Sequence, residues 1–297
     1  MNEKIKKILV TGSEGFIAKE LSKKLKKNGY EVVEVDLLNN QDLKSKEYVQ
    51  SLPDVDVVFH LAALNGTKWF YEKPYDVVIN NTYPTLNLID RYKECVELFI
   101  FSGTCESYAG SIEKDDSLIP TSETVPLSIS DILNPRWSYG GSKLGNEISV
   151  ISAFHQYKMN FQILRYHNIY GPSQKDHFFS EFIEKVENGI YELIGYENTR
   201  SFLHITDAID YTLDLFNNSH AHNNIINIGS DDEVTIKKAA EIILSKMNLK
   251  EELNLLPSPP GSVLRRLPCL KKLKSFCGEK DLITLEDGIE SLFNQKK

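Results

Sequence analysis

The chain has 297 residues, 41% of them hydrophobic and 26% charged, with a formal net charge of -8. Such a balance excludes a polybasic nucleic-acid binder, and no apolar run approaches the roughly 18 residues of a membrane helix. The length is enough for one large α/β unit or two domains with a sizeable core. Met1 to Lys4 leads into a strand without a signal-peptide pattern. The four cysteines, Cys95, Cys105, Cys269 and Cys277, lack metal-ligand spacing, so reduced thiols, no metal and a cytoplasmic setting are expected.

Lys7 to Thr11 reads as a short buried strand, followed at once by Gly12-Ser13-Glu14-Gly15-Phe16-Ile17-Ala18. Phe16, Ile17, Leu21 and Leu25 recur at helical spacing, and the helix should stop at Asn28-Gly29. Glu31 to Asp36 is a second strand that ends in an acid. Strand, glycine turn, helix, strand and acid together describe a dinucleotide site. The glycines let the backbone approach a pyrophosphate at the helix N-terminus. Asp36 would take the ribose hydroxyls and repel a 2′-phosphate, which favours NAD over NADP.

Residues 54–63 hold a further buried strand ending in His60-Leu61-Ala62-Ala63, a helix spans about 77–92, and residues 97–102 form another strand. Ligands collect at the carboxyl ends of strands in a doubly wound sheet. That places Leu61, Ala62, Ala63, Ser102 and Thr104 on the rim that carries the glycine turn. A long polar loop, 111–136, precedes a helix bearing Tyr139 and Lys143. Four residues apart on one helix face, a lysine can depress the pKa of a tyrosine, and such a phenol can exchange a proton with a sugar hydroxyl. Phe161 to Arg165 returns to the sheet, and Asn224 to Gly229 adds one more strand before a helix from Thr235. The expected fold is therefore α/β, a Rossmann-type doubly wound parallel sheet over 1–168 to which 201–229 returns. A smaller α/β substrate domain would occupy 169–297.

Taken together these residues resemble the extended short-chain dehydrogenase/reductase family, specifically its nucleotide-sugar epimerases and dehydratases, over about residues 7–292. Gly12, Gly15, Phe16, Ile17 and Ala18 look like the cofactor turn, with Ala18 where glycine is commoner. Asp42-Leu43 is similar to the family's adenine-holding pair. It follows Asp36 so closely that the usual third strand is expected to be vestigial. Leu61, Ala62, Ala63, Asn81, Ser102 and Tyr166 match further positions on the cofactor side. Ser102-Gly103-Thr104 stands where the family has Ser-Ser-Ser/Thr, so the resemblance gives Thr104 the catalytic hydroxyl.

Arg165-Tyr166-His167-Asn168-Ile169-Tyr170-Gly171-Pro172 is similar to the family's Arg-Tyr-x-Asn-x-Tyr-Gly-Pro, whose Asn touches the substrate diphosphate. Thr199-Arg200-Ser201-Phe202 resembles Thr-Arg-Asp-Phe, and Pro260-Gly261-Ser262-Val263-Leu264-Arg265-Arg266 resembles a late Pro-Gly-Asp-Val-x-Arg segment. Arg200 with Arg265 or Arg266 is thus expected to clamp the diphosphate, and His177 to meet substrate.

The resemblance implies an enzyme of surface-polysaccharide sugar biosynthesis that oxidises C4 of a UDP-, dTDP- or GDP-sugar with NAD. Tyr139 would be the base, Lys143 its tuner and ribose anchor, and Thr104 the positioning hydroxyl. Return of hydride to the opposite face would make it a 4-epimerase, the first expectation. Release of the ketone would make it a dehydrogenase, and loss of water a 4,6-dehydratase with Glu106 as acid or base. A catalytically silent NAD-binding sensor is the reading from another class. A homodimer, paired through the Tyr139 helix, is also implied.

Overall fold

The computed structural model describes residues 5–175, 177–258 and 262–294. In chain order the nucleotide-binding half runs β1 (Lys7–Thr11), α1 (Phe16–Lys27), β2 (Glu31–Val35), α2 (Lys46–Ser51), β3 (Val57–His60), α3 (Thr67–Glu72), α4 (Pro74–Tyr92), β4 (Leu98–Thr104), α5 (Ala109–Ile112), α6 (Trp137–Tyr157) and β5 (Phe161–Tyr166). There follow β6 (Ile169–Tyr170), α7 (Phe178–Glu187), β7 (Glu192–Ile194), β8 (Thr199–Ser201), β9 (Leu203–His204), α8 (Ile205–Asn217), β10 (Asn224–Ile228), β11 (Glu233–Thr235) and α9 (Ile236–Lys246). The chain ends with β12 (Asn254–Leu256), β13 (Arg265–Arg266), α10 (Lys271–Cys277) and α11 (Leu285–Phe293).

Six parallel strands form the central sheet in the order β2-β1-β3-β4-β5-β10. A fully parallel sheet must be covered on both faces, and the strand residues divide accordingly, alternate side chains pointing to opposite faces. Ile8, Val10, Phe59, Ile100, Leu164 and Ile226 pack beneath α1 and α8, against Leu21, Leu25, Leu213 and Phe216. Leu9, Val58, Phe99, Phe101 and Ile163 pack beneath α4 and α6, against Leu88, Tyr92, Val150 and Ala153. Among the described residues no strand lies outside β2. Where a dinucleotide fold usually adds one, residues Leu37–Asn39 make a single 3-10 turn and Leu43 drops into the core.

A separate core built from α7, α9 and α11, with Phe179, Phe182, Leu193, Ile243 and Ile289, forms the C-terminal lobe. The lobe is not continuous in sequence, because Leu270 and Leu273 of the α10 segment pack into the first core instead.

Two buried histidines tie the strand ends to their surroundings. His60, at the end of β3, lies between Thr11 (Nδ1 to Oγ1, 2.8 Å) and Thr85 (Nε2 to Oγ1, 2.9 Å). The Thr85 hydroxyl donates to the Asn81 carbonyl, so Nε2 carries the proton and Nδ1 accepts from Thr11. His167 follows β5 and bonds Asn227 through Nε2 at 3.3 Å. Burial pulls both imidazoles down to about 3, Lys143 adding to the effect at His60. Unfolding below pH 6.5 therefore takes up protons that the native chain refuses until about pH 3. Stability should fall by roughly 1.4 kcal/mol per pH unit for each histidine between about pH 6.5 and 5. Urea titrations across that range should show the slope, and His167→Gln should remove its share; an unchanged slope would contradict the assignment.

Candidate active site

The carboxyl ends of β1, β3, β4 and β5 open into a cleft of about 570 Å³ that the C-terminal lobe closes from the far side. At one end lies the glycine turn. Gly12 sits at φ +70°, and a Cβ there would stand 2.7 Å from the Ala62 Cα. Glycine lets the turn press against the end of β3, while its N–H and that of Ser13 donate to the Val35 carbonyl at 2.8 and 3.3 Å. Gly15 opens α1 with no side-chain cap, which leaves the first-turn N–H groups for an anion. Ser13 Oγ is buried there without a partner in the chain. Asp36 lies alongside, its carboxylate accepting from Glu14 N and Leu38 N, both at 2.9 Å. This uncapped helix end, orphaned hydroxyl and acid fit a dinucleotide, with Gly12, Gly15, Phe16, Ile17, Leu61 and Ala63 in the wall.

The reacting end is built where β4 meets α6. Tyr139, in the first turn of α6, is buried, stacks on Phe70 (centroids 5.2 Å apart) and hydrogen-bonds the Thr104 side chain. Lys143, one turn on, donates to Ser102 O at 2.9 Å and Ser102 Oγ at 3.1 Å, with Nζ 4.6 Å from the Phe101 ring. All of Ser102, Thr104, Tyr139 and Lys143 line the cleft. Burial pulls the Lys143 ammonium down to about 7, with Glu147 pulling it back up. Tyr139 departs from the expected tuning. Burial raises its hydroxyl above the ordinary phenol range, and the Thr104 hydrogen bond only partly offsets this. The lysine spends its charge on Ser102.

Beyond Thr104 the wall is charged. Glu106 stands 2.7 Å from Arg266 and 3.7 Å from Arg136. Burial would raise its carboxyl, but the two arginines outweigh burial and hold it below the usual carboxylate range. Arg200 donates to the carbonyls of Thr199, Val263 and Leu264. Burial and then repulsion from Arg266 bring it down to about 9. Arg136, Arg200 and Arg266 thus surround one carboxylate, and all four residues line the cleft with Tyr166, Asn168 and His177.

Several expected contacts lie elsewhere. Arg265 turns away from the cleft and grips Glu233 with a fork at 2.6 and 2.7 Å. Successive residues of a strand face opposite ways, and it is Arg266 that pairs in register with Arg200. Asn81 is buried behind the wall, where its amide bonds Leu64 N (2.7 Å), Leu64 O (3.3 Å) and Ser142 Oγ (3.2 Å). It fixes the 61–64 loop against α6. Asp42 accepts from its own Lys44 N at 2.9 Å, Leu43 belongs to the core, and Ala62 supports Gly12 from behind. Pro260 and Gly261 lie outside the described residues. Arg136 was not signalled by any motif; its place three residues before Tyr139, at the mouth of the helix, was the available hint.

A glycine turn on a parallel doubly wound sheet, facing a Tyr–Lys pair on a neighbouring helix, defines an NAD-dependent enzyme of the extended short-chain dehydrogenase/reductase class. The model of the NAD dependent epimerase/dehydratase family matches residues 8–229, and the chain belongs to that family. It is 29% identical to the UDP-N-acetyl-alpha-D-glucosaminuronate decarboxylase of Bacillus cytotoxicus, covering 96% of each chain. It is also 29% identical to a putative UDP-glucose 4-epimerase of Methanocaldococcus jannaschii, covering 98% of each. In structure it is similar to the UDP-glucose 4-epimerase of Thermotoga maritima solved with UDP-glucose. The TM-score there is 0.87 and the identity 25%, over 98% of this chain and 99% of that one.

Gly12→Ala should weaken NAD binding by about tenfold or more, since the new methyl meets both a strained φ and the Ala62 backbone. Gly29→Ala, equally strained at φ +89° but open to space, should cost stability and leave NAD affinity unchanged. Calorimetric titration of both variants checks the pair.

Proposed function

We propose that the protein is a nucleotide-sugar 4-epimerase. The observation that carries this reading is the Tyr139–Thr104 hydrogen bond with Lys143 one turn away, set midway along a cleft that has a dinucleotide turn at one end and arginines at the other. Tyr139 takes the proton of the C4 hydroxyl, and Thr104 holds that hydroxyl in line. NAD, held by Gly12, Gly15 and Asp36, would supply the reversible hydride transfer. Lys143 stands beside Ser102, and its ammonium would hold the cofactor ribose and lower the Tyr139 pKa in the NAD complex. Asn168, Arg200 and Arg266 supply the polar wall for a diphosphate, and His177 stands at its edge. Exclusion of water by this wall protects the keto intermediate until it has turned over.

Glu106 bears on the choice of reaction, since Arg266 and Arg136 hold its carboxyl below the usual range and so suit it to accept a proton rather than to supply one. The same group of charges supports a second reading. With three arginines against one carboxylate in the cleft, a sugar bearing a carboxylate would be well received, and oxidation at C4 would then allow loss of carbon dioxide. The Bacillus relative named as a decarboxylase fits that route.

Assembly into a homodimer is part of the proposal. Helices α4 and α6 pack side by side and expose Tyr75, Val78, Tyr83, Leu86 and Ile148, a face suited to pairing with its own copy. The family resemblance supports a place in cytoplasmic synthesis of surface-polysaccharide sugars, and among the described residues no helix is long and apolar enough to cross a membrane.

Tyr139→Phe should lower turnover of UDP-glucose or UDP-galactose by at least about a hundredfold, the usual worth of a positioned acid–base group, with NAD still bound. Thr104→Val should fall less. Full turnover in the Tyr139 variant would contradict the mechanism, whereas a biological function untouched by the change would favour a sensor.

A further inference from the structure

Glu147 lies on α6 one turn beyond Lys143, with its side chain only 2% exposed. It accepts three bonds from Arg165 of β5: Nε to Oε1 at 3.1 Å, Nε to Oε2 at 3.2 Å and Nη2 to Oε2 at 2.6 Å. Arg165 is buried too, and its Nη1 donates to the Tyr108 hydroxyl at 2.6 Å. That hydroxyl in turn donates to Asn227 Oδ1 at 2.9 Å, on β10. The ion pair fills the space over Gly103, where a Cβ would stand 2.8 Å from both Glu147 Oε1 and Arg165 Cγ. Gly103 is flanked by Ser102, which receives Lys143, and Thr104, which meets Tyr139. The carboxylate is therefore wedged against the strand segment that holds both members of the catalytic pair.

Stability alone is a poor reason to bury such a pair, because well-packed apolar residues of similar volume commonly do as well or better. We propose that Glu147 is a positioning residue of the active site: gripped by Arg165 and wedged over Gly103 one helical turn from Lys143, its buried carboxylate sets the place and the charge environment of that lysine. Gly103 provides the room for it. From β4, Lys143 meets only uncharged groups, Ser102 and the Phe101 ring. From β3 comes His60, kept neutral by burial. On its own helix stand Tyr139, a neutral phenol, and Glu147; from β5, Arg165 stands behind Glu147. Among the described residues Glu147 is the charge that favours the ammonium, against the burial that pulls Lys143 down to about 7.

Glu147→Gln removes the negative charge, so Lys143 loses its proton at lower pH, and the alkaline limb of kcat moves down with it. The kcat limb rests on the proposed reading that turnover needs the ammonium; the titration of Lys143 does not.

The test follows the 13Cε resonance of Lys143 in the full-length, lysine-labelled protein, identified by its loss in Lys143→Met, across pH 5 to about 10. The midpoint in Glu147→Gln should lie about one pH unit below that of the unaltered protein. Arg165→Lys retains the charge but loses the fork, so it should lower thermal stability and leave the midpoint in place. If Glu147→Gln does not fold, the double variant Glu147→Gln/Arg165→Met removes both buried charges together and should shift the midpoint the same way by a smaller amount. An unmoved midpoint in a folded variant overturns the inference, as does an unaltered protein whose Lys143 titrates like an exposed lysine. Absence of turnover with every nucleotide sugar would instead overturn the proposed reaction and leave the titration result standing.

Discussion

The structure turns on a buried ion pair between the catalytic helix and the sheet. Glu147 and Arg165 join α6 to β5 at 2.6 Å with side chains 2% exposed. Through Tyr108 and Asn227 the contact continues to β10 and to the Thr121 carbonyl, and Thr121 pairs with the chain just ahead of α10. One network thus fixes the helix that carries Tyr139 and Lys143, the strand that carries Thr104, and the segment that leads out of Arg266. A charge taken out of water with all its partners in place tolerates little displacement, since any shift exposes an unpaired ion to a low dielectric. Geometry at the reacting end is set by that intolerance.

Electrostatics within the cleft follow a gradient. The glycine turn offers uncapped helix amides, the centre holds a neutral phenol and a lysine that burial has brought near neutrality, and the far wall concentrates three arginines around Glu106. A substrate negative in its middle and uncharged at its reacting carbon matches this order. Because both Tyr139 and Lys143 are strongly desolvated, their protonation answers sharply to whatever charge enters the cleft.

The local parts of this design were legible in the sequence. The strand–glycine–helix–strand–acid order depends on short-range geometry and placed Gly12, Gly15 and Asp36 correctly at the end of one sheet. The helical spacing of Tyr139 and Lys143 likewise needed no tertiary knowledge. What could not be read depends on contacts between distant segments. Arg265 and Arg266 are adjacent letters, and only the register of a two-residue strand against β8 decides which faces the cleft. Asn81 belongs to a motif on the cofactor side, yet its amide is spent on a loop and on Ser142. Arg136 carries no motif and becomes visible only once the long 111–136 loop delivers it to Glu106. The environment of Tyr139 was hidden for the same reason: spacing puts Lys143 on its face of the helix, but burial raises the phenol and Ser102 receives the lysine's hydrogen bonds.

The most direct test of the central claim is to incubate the protein with UDP-glucose, UDP-galactose and UDP-glucuronate in deuterium oxide and analyse the products by mass and proton NMR. An epimerase that passes hydride out and back must yield an isomer of unchanged mass, inverted at C4, with no deuterium on carbon. A product lighter by water or carbon dioxide, or one labelled at C5, would contradict 4-epimerisation and replace it with the chemistry that the lost fragment identifies.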